Sequence, residues 1–173
     1  IPFSVESFFS EDNKKNLSTI NLNLMKLNIE NELVFENDKI VGKSKFNLNK
    51  IKKLLDYKIE QNSFDFHLFD KIDQPDVTYK GKFNFKPFFA NLEGNLDEIN
   101  LNHLFGNNAI VAQLLKTEIF NNKNIDLKIN INANSIYKNP NFKNIRLNSK
   151  IQEGLIDTDK TKFEWKDIAD FEL

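Results

Sequence analysis

The chain has 173 residues, enough for one ordinary domain. Its 24 Lys and Arg against 25 Asp and Glu give a formal charge of −1, which excludes a broad basic field that would draw it onto nucleic acid or an anionic membrane. A hydrophobic fraction of 40% with 28% charged residues is too apolar for a disordered chain and too polar for a membrane helix bundle, and the lack of Cys removes disulfides, thiolate zinc sites and a cysteine nucleophile.

The ends read as cuts in a longer protein: Ile1-Pro2-Phe3 lacks an initiator Met, and the chain stops in Asp170-Phe171-Glu172-Leu173. Arg146 is the sole arginine among many Asn and Lys, the bias of an AT-rich genome, so individual Asn and Lys residues are not read as functional choices. No stretch approaches the ~20 apolar residues of a membrane span, and no signal peptide is visible.

In chain order, Ile20, Leu22 and Leu24 alternate, then slip by one at Met25-Lys26 before Leu27 and Ile29, which reads as a bulge or the end of one-sided burial. Leu48, Ile51, Leu54, Leu55 and Ile59 follow helical spacing, with Asn47 or Asn49 as N-cap, and predict a first short amphipathic helix. Phe64, Phe66 and Leu68 alternate, as do Val77, Tyr79, Gly81, Phe83 and Phe85. A second helical pattern runs through Leu101, Leu104, Phe105, Val111, Leu114, Leu115, Ile119 and Phe120, interrupted at Gly106-Asn107-Asn108. The cleanest strand follows: Ile125, Leu127, Ile129, Ile131 and Ala133 fall on one face, and Asp126, Lys128, Asn130 and Asn132 on the other. Ile145, Leu147, Ser149 and Ile151 alternate next, and Phe163 with Trp165 ends the series.

Turn residues at Glu36-Asn37-Asp38, Gln74-Pro75-Asp76, Asn121-Asn122-Lys123, Asn139-Pro140 and Asp157-Thr158-Asp159 keep connections short, as in an antiparallel meander. The expectation is a single β-rich unit over 1–173, mainly antiparallel, with eight to ten strands and two short helices, and with no parallel-sheet signature. Two helices are too few to cover so many half-apolar strands. The sheet must fold onto itself, be covered by sequence elsewhere, or leave an apolar trough open. Helices, charge and missing aromatic girdles argue against an outer-membrane barrel.

The search for chemistry is mostly negative. His67 sits opposite Phe64, Phe66 and Leu68, at a solvated strand position, and His103 lies near a helix start; neither has a metal-ligand neighbour. Asp157-Thr158-Asp159 is explained by Asx-turn chemistry and lacks the glycine and distal Glu of a calcium loop. No P-loop, nucleophile elbow or dinucleotide fingerprint occurs. Lys82-Phe83-Asn84-Phe85-Lys86 could stack on bases, but strand alternation writes the same text. These readings give no catalytic residue, no cofactor, no metal and no nucleic-acid partner, and an enzyme acting on a sugar or lipid has no residue to nominate.

The stretch from Tyr79 to Phe171 resembles the AsmA-like family of bacterial envelope proteins, the group that includes TamB and YhdP. The resemblance rests on Gly81-Lys82-Phe83-Asn84-Phe85-Lys86-Pro87-Phe88, Gly94-Asn95-Leu96 and Leu101-Asn102-His103-Leu104-Phe105. It continues in Leu114-Leu115, in the strand from Asn124 to Ala133, in Ile151-Gln152-Glu153-Gly154-Leu155-Ile156-Asp157 and in Phe163-Glu164-Trp165-Lys166. The first half fits in style only.

The resemblance implies a strongly twisted, curved antiparallel sheet with one apolar concave face. It implies a non-enzymatic groove that holds or conducts phospholipids between the membranes of Gram-negative bacteria, in support of outer-membrane assembly. The residues expected to line the groove are Ile125, Leu127, Ile129 and Ile131, then Phe83, Phe85, Leu147 and Ile151. The partners implied are phospholipid acyl chains, a membrane reached through an anchor outside this fragment, and other envelope proteins. The implied location is the periplasm, in a protein anchored in the inner membrane. The alternative is a structural or protein-interaction module of an envelope scaffold, with an ordinary closed core.

Overall fold

The computed structural model describes residues 3–12, 14–22, 27–48, 51–70, 77–102 and 123–173. The protein is mainly β, with thirteen strands among the described residues against the eight to ten that alternation suggests. It divides into two compact units, Ile1–Lys82 and Phe83–Leu173.

The first unit is an antiparallel meander of β1 (Phe3–Ser10), β2 (Lys15–Leu22), β3 (Leu27–Glu36), β4 (Lys39–Leu48), β5 (Ile51–Glu60) and β6 (Ser63–Phe69), hydrogen-bonded in that order. β7 (Val77–Phe85) follows and carries Val77, Tyr79, Gly81, Phe83 and Phe85 in one strand, as expected. The slip expected at Met25-Lys26 lies outside the described residues; on either side of it Leu22 ends β2 and pairs with Leu27, which starts β3.

The helix expected over Leu48–Ile59 is instead β5, paired to β4 and β6 on its two edges. Ile51, Leu55 and Ile59 are four residues apart, an interval that fits a helix face and also, being even, a strand face. Only Leu54 distinguishes the two patterns; it belongs to the opposite side of the sheet, where its neighbours in register are Lys45 and Phe69. Backbone hydrogen bonds to β4 along the whole strand and to β6 from Leu54 to Glu60 outweigh a weak helical preference.

The second unit begins at Phe83, within β7, and continues with β8 (Phe88–Ile99), β9 (Asp126–Ile136), β10 (Asn139–Gln152), β11 (Leu155–Asp157), β12 (Lys162–Trp165) and β13 (Ala169–Glu172). Its order is β8-β9-β10-β12-β13, with β11 also on β10. β8 and β9 are parallel, Leu92 aligning with Ile129 and Leu96 with Ala133, against the expectation of no parallel pair. Parallel neighbours need a long crossover, here the chain between Ile99 and Asp126, and one such pair inside an antiparallel sheet leaves no long apolar run in the sequence. Leu101 and Asn102 are helical; the rest of the second expected helix, from His103 on, lies outside the described residues.

Local chemistry fixes the later turns. Glu153 and Gly154 have φ of 54° and 80°, the left-handed pair that a two-residue hairpin between β10 and β11 requires. Asp157 Oδ1 accepts from the Asp159 amide at 2.8 Å, an Asx turn of the kind expected. The turn before β10 falls at Tyr137-Lys138, just ahead of the expected Asn139-Pro140. Thr161 then joins β12 to β10: its Oγ1 accepts from the Asn148 amide and donates to the Asn148 carbonyl, both at 3.1 Å.

The core of the second unit is Ile99, Ala133 and Ile145, with Leu96, Ile131, Ile136, Leu147 and Phe163 packed on it. The Phe163 ring stacks on Phe171 at 5.0 Å and meets Phe142 edge-on at 5.7 Å.

Candidate functional site

Register decides which side chains share a side, because directly paired residues of adjacent strands point the same way. In the first unit, Val5, Ile20, Ile29 and Phe46 form one row across β1–β4. Two residues along each strand lies the row Ser7, Ser18, Asn31, Ser44, Leu55 and Leu68, and beyond it Phe9, Asn16, Leu33, Gly42, Tyr57 and Phe66. Phe35, Ile40, Ile59 and Phe64 complete this side, here called the Ile29 side. Lys53 and Asp70 on this side face each other at 4.0 Å, and Lys14 lies beside Phe35 at its edge.

The opposite, Glu30 side is built from charge pairs and amide ladders. Lys15 bonds Glu32 at 2.7 Å, which holds the Glu32 carboxyl below the usual range, and Lys45 faces Glu30 at 3.7 Å. Asn47 donates to Asn28 at 3.1 Å, Asn28 to Asn21 at 2.7 Å, and Asn21 to Ser4 at 3.3 Å, one ladder over four strands. Asparagine therefore has a structural use here that codon bias alone does not express.

On the Ile29 side the apolar residues with described side chains are half-buried or exposed, Phe9 at 51%. The buried residues of this unit, among those described, are Gly42, Ser44 and Ser63. The middle row is a polar seam. Asn31 Oδ1 accepts from Ser44 Oγ at 2.7 Å and from the Tyr57 hydroxyl at 2.9 Å, and Asn16 donates to Ser7 Oγ at 3.0 Å. Gly42 makes the Tyr57 bond possible, since a Cβ there would overlap the Tyr57 ring end. Sequence reasoning missed this seam, because serines and an asparagine spread over four strands align only once three hairpin registers are known.

The sequence-expected groove residues all fall in the second unit. Leu127, Ile129 and Ile131 on β9 align with Ile151, Ser149 and Leu147 on β10 and with Ala90, Leu92 and Gly94 on β8, so the structure brings these five candidates to one side. Ile151 is buried at 4%, and Ile131 and Leu147 pack on the core; Leu127 and Ile129 are half-buried. Ile125 precedes β9 and is half-buried. Phe83 and Phe85 lie on β7, Phe83 half-buried and Phe85 exposed.

His67 has the expected side but not the expected solvation. It pairs in register with Asp56, its ring lies 4.7 Å from Phe69, and its Nε2 is buried without a hydrogen-bond partner. Burial, then the Lys80 charge, push its pKa below the usual imidazole value, while Asp56 pulls the other way. Asp126 Oδ1 is likewise buried and unpartnered. His103 lies outside the described residues. A shallow hollow of about 610 Å³ at the ends of β3, β4 and β5 is lined by Lys14, Phe35, Asp38, Lys39 and Glu60 among others, a mixed polar surface without a convergent set of reactive groups. No cluster of three or more His, Cys, Asp or Glu suited to a metal ion occurs among the described residues, and no helix among them is long and apolar enough to cross a membrane.

Comparison of the chain with protein-family models, curated proteins and solved structures finds no match.

Proposed function

We propose that this chain is a lipid-holding segment of an AsmA-like envelope protein, and that the Ile29 side of the first unit is its apolar groove wall. The observation that carries the reading is a broad set of aliphatic and Phe side chains on one side of β1–β6, none of those described being buried. Ten-residue strands β3 and β4 span roughly 34 Å, and six strands side by side span roughly 29 Å, room for acyl chains laid across the sheet. Shielding about ten methylenes there is worth on the order of 8 kcal/mol. A lining without one deep pocket lets a chain slide with small barriers while its headgroup stays in water. The wider reading, a periplasmic protein with an inner-membrane anchor elsewhere that passes phospholipid toward the outer membrane without covalent chemistry, rests on the family resemblance.

The second reading, a scaffold module with a closed core, is favoured by the second unit, where Ile99, Ala133, Ile145 and Ile151 are buried. One experiment separates them: lipid carried by the purified chain is extracted and identified by mass spectrometry, and binding of a fluorescent phosphatidylcholine is measured for wild type, Ile29→Asp and Thr19→Lys. The groove reading expects at least a tenfold loss for Ile29→Asp with little change in melting temperature, because a carboxylate where the chain passes must be desolvated, and no loss for Thr19→Lys on the Glu30 side. Absence of lipid and of probe binding in wild type would leave the scaffold reading standing.

A further inference from the structure

We propose that the seam at Ser18 and Asn31 receives the ester carbonyl of an acyl lipid, an inference that rests on the lipid-holding reading and specifies the chemistry of its ligand. The rows flanking the seam are mainly hydrocarbon: Val5, Ile20, Ile29 and Phe46 on one flank, and on the other Phe9 and Leu33, with Asn16 between them bonded to Ser7. Bare hydrocarbon laid over the seam strips water from hydroxyl and amide groups and gives nothing back. A closed core meets the same objection.

Two of the groups left for a ligand can donate. Asn31 Oδ1 is occupied by the Ser44 and Tyr57 hydroxyls, so Asn31 offers its Nδ2 amide, and Ser18 beside it in register offers a hydroxyl. Ser44 is only 6% exposed and Tyr57 reaches over Gly42, so Asn31 is held from two strands, β4 and β5.

The charge on this side selects between acceptors. Lys53 faces Asp70, and Lys14 lies in the hollow at the strand ends beside Phe35, Asp38 and Glu60, so a phosphate or free carboxylate finds no cation in the seam row itself, which runs Ser7, Ser18, Asn31, Ser44, Leu55 and Leu68. Two neutral donors between apolar flanks match a neutral acceptor carrying hydrocarbon, which is an acyl ester carbonyl. The headgroup phosphate then lies off the seam, in water.

The test uses the whole chain and two phosphatidylcholines of equal chain length with the same tail fluorophore, one diester and one diether. The ether oxygen lacks the carbonyl and is otherwise similar in shape. Wild type should bind the diester about tenfold more tightly, the effect of one to two neutral hydrogen bonds. Ser18→Val should bring that ratio to about two or less while raising affinity for the diether, and Asn31→Leu should do the same if its melting temperature holds; Ser18→Val decides if it does not. Equal and tight binding of both lipids by wild type would overturn the carbonyl site and leave the lipid reading intact. Failure to bind either lipid would overturn both.

Discussion

The two units are written in the same alternating text and bury it differently. The second holds the five buried apolar residues among those described, Ala90, Ile99, Ala133, Ile145 and Ile151. The first buries Gly42, Ser44 and Ser63, and leaves Val5, Phe8 and Phe9 more than half exposed. Alternation thus reports that a strand has a dry and a wet side, but not whether the dry side has been covered. What differs is the inward-facing set. Alanine and glycine at Ala90, Gly94 and Ala133 in the second unit allow close approach, and Phe163 packs against the cluster. In the first unit, serine and asparagine interrupt the dry side and bond across strands, Ser44 to Asn31 and Asn16 to Ser7.

The comparison is broken most severely by truncating the buried cluster. Ile145→Ala should destabilise the second unit by about 2–4 kcal/mol, the usual cost of a core cavity, whereas Ile29→Ala in the first should cost no more than about 1.5 kcal/mol, since Ile29 is only half-buried. Urea titrations of the two variants measure both; equal losses would erase the distinction between the units. Next in size is the seam. Gly42→Ala displaces the Tyr57 ring and Tyr57→Phe deletes its hydroxyl, so each should cost about 1 kcal/mol, and the double variant should cost less than their sum because both lose the same bond to Asn31. A double-mutant cycle on melting curves reads this coupling.

The smallest effect is a pH dependence of the first unit. Since the His67 pKa is held below its ordinary 6.5, the folded state resists a proton that the unfolded chain accepts. The contribution of the neutral ring is whole above pH 6.5 and is lost as pH falls through the folded value. Melting temperature compared at pH 7.5 and pH 5 should therefore drop more for wild type than for His67→Phe. An identical drop would place the ring in water after all.

Much of the fold is legible in the residues. β9 and β10 follow directly from Leu127, Ile129 and Ile131 against Ile145, Leu147 and Ile151, and the Asx turn from Asp157-Thr158-Asp159. β5 was not legible, because Ile51, Leu55 and Ile59 recur at an interval that both periodicities accept and the hydrogen bonds that decide come from β4 and β6. The parallel pairing of β8 with β9 depends on a crossover whose direction no local pattern encodes. Among the expected groove residues, Ile131 on β9 and Leu147 on β10 pack on the buried cluster and Ile151 on β10 is buried, whereas Leu127 and Ile129 are half-buried, a difference that alternation does not express. Openness is a property of what lies opposite a strand, and a single strand's sequence carries no record of it.

The parallel register of β8 and β9 also sets an order of events. Each neighbouring pair from β1 to β6 is closed by a hairpin, so the first unit can form from local contacts as the chain is synthesised, and hairpins close on the order of microseconds. β8 has no such shortcut to β9: it must wait until the chain beyond Asp126 exists and its ends have been brought together, at an entropic cost that precedes any reward. Pulse-labelled hydrogen exchange would show amide protection in β2–β5 before β8 if this order holds. The first unit would then be in place while the second is still assembling.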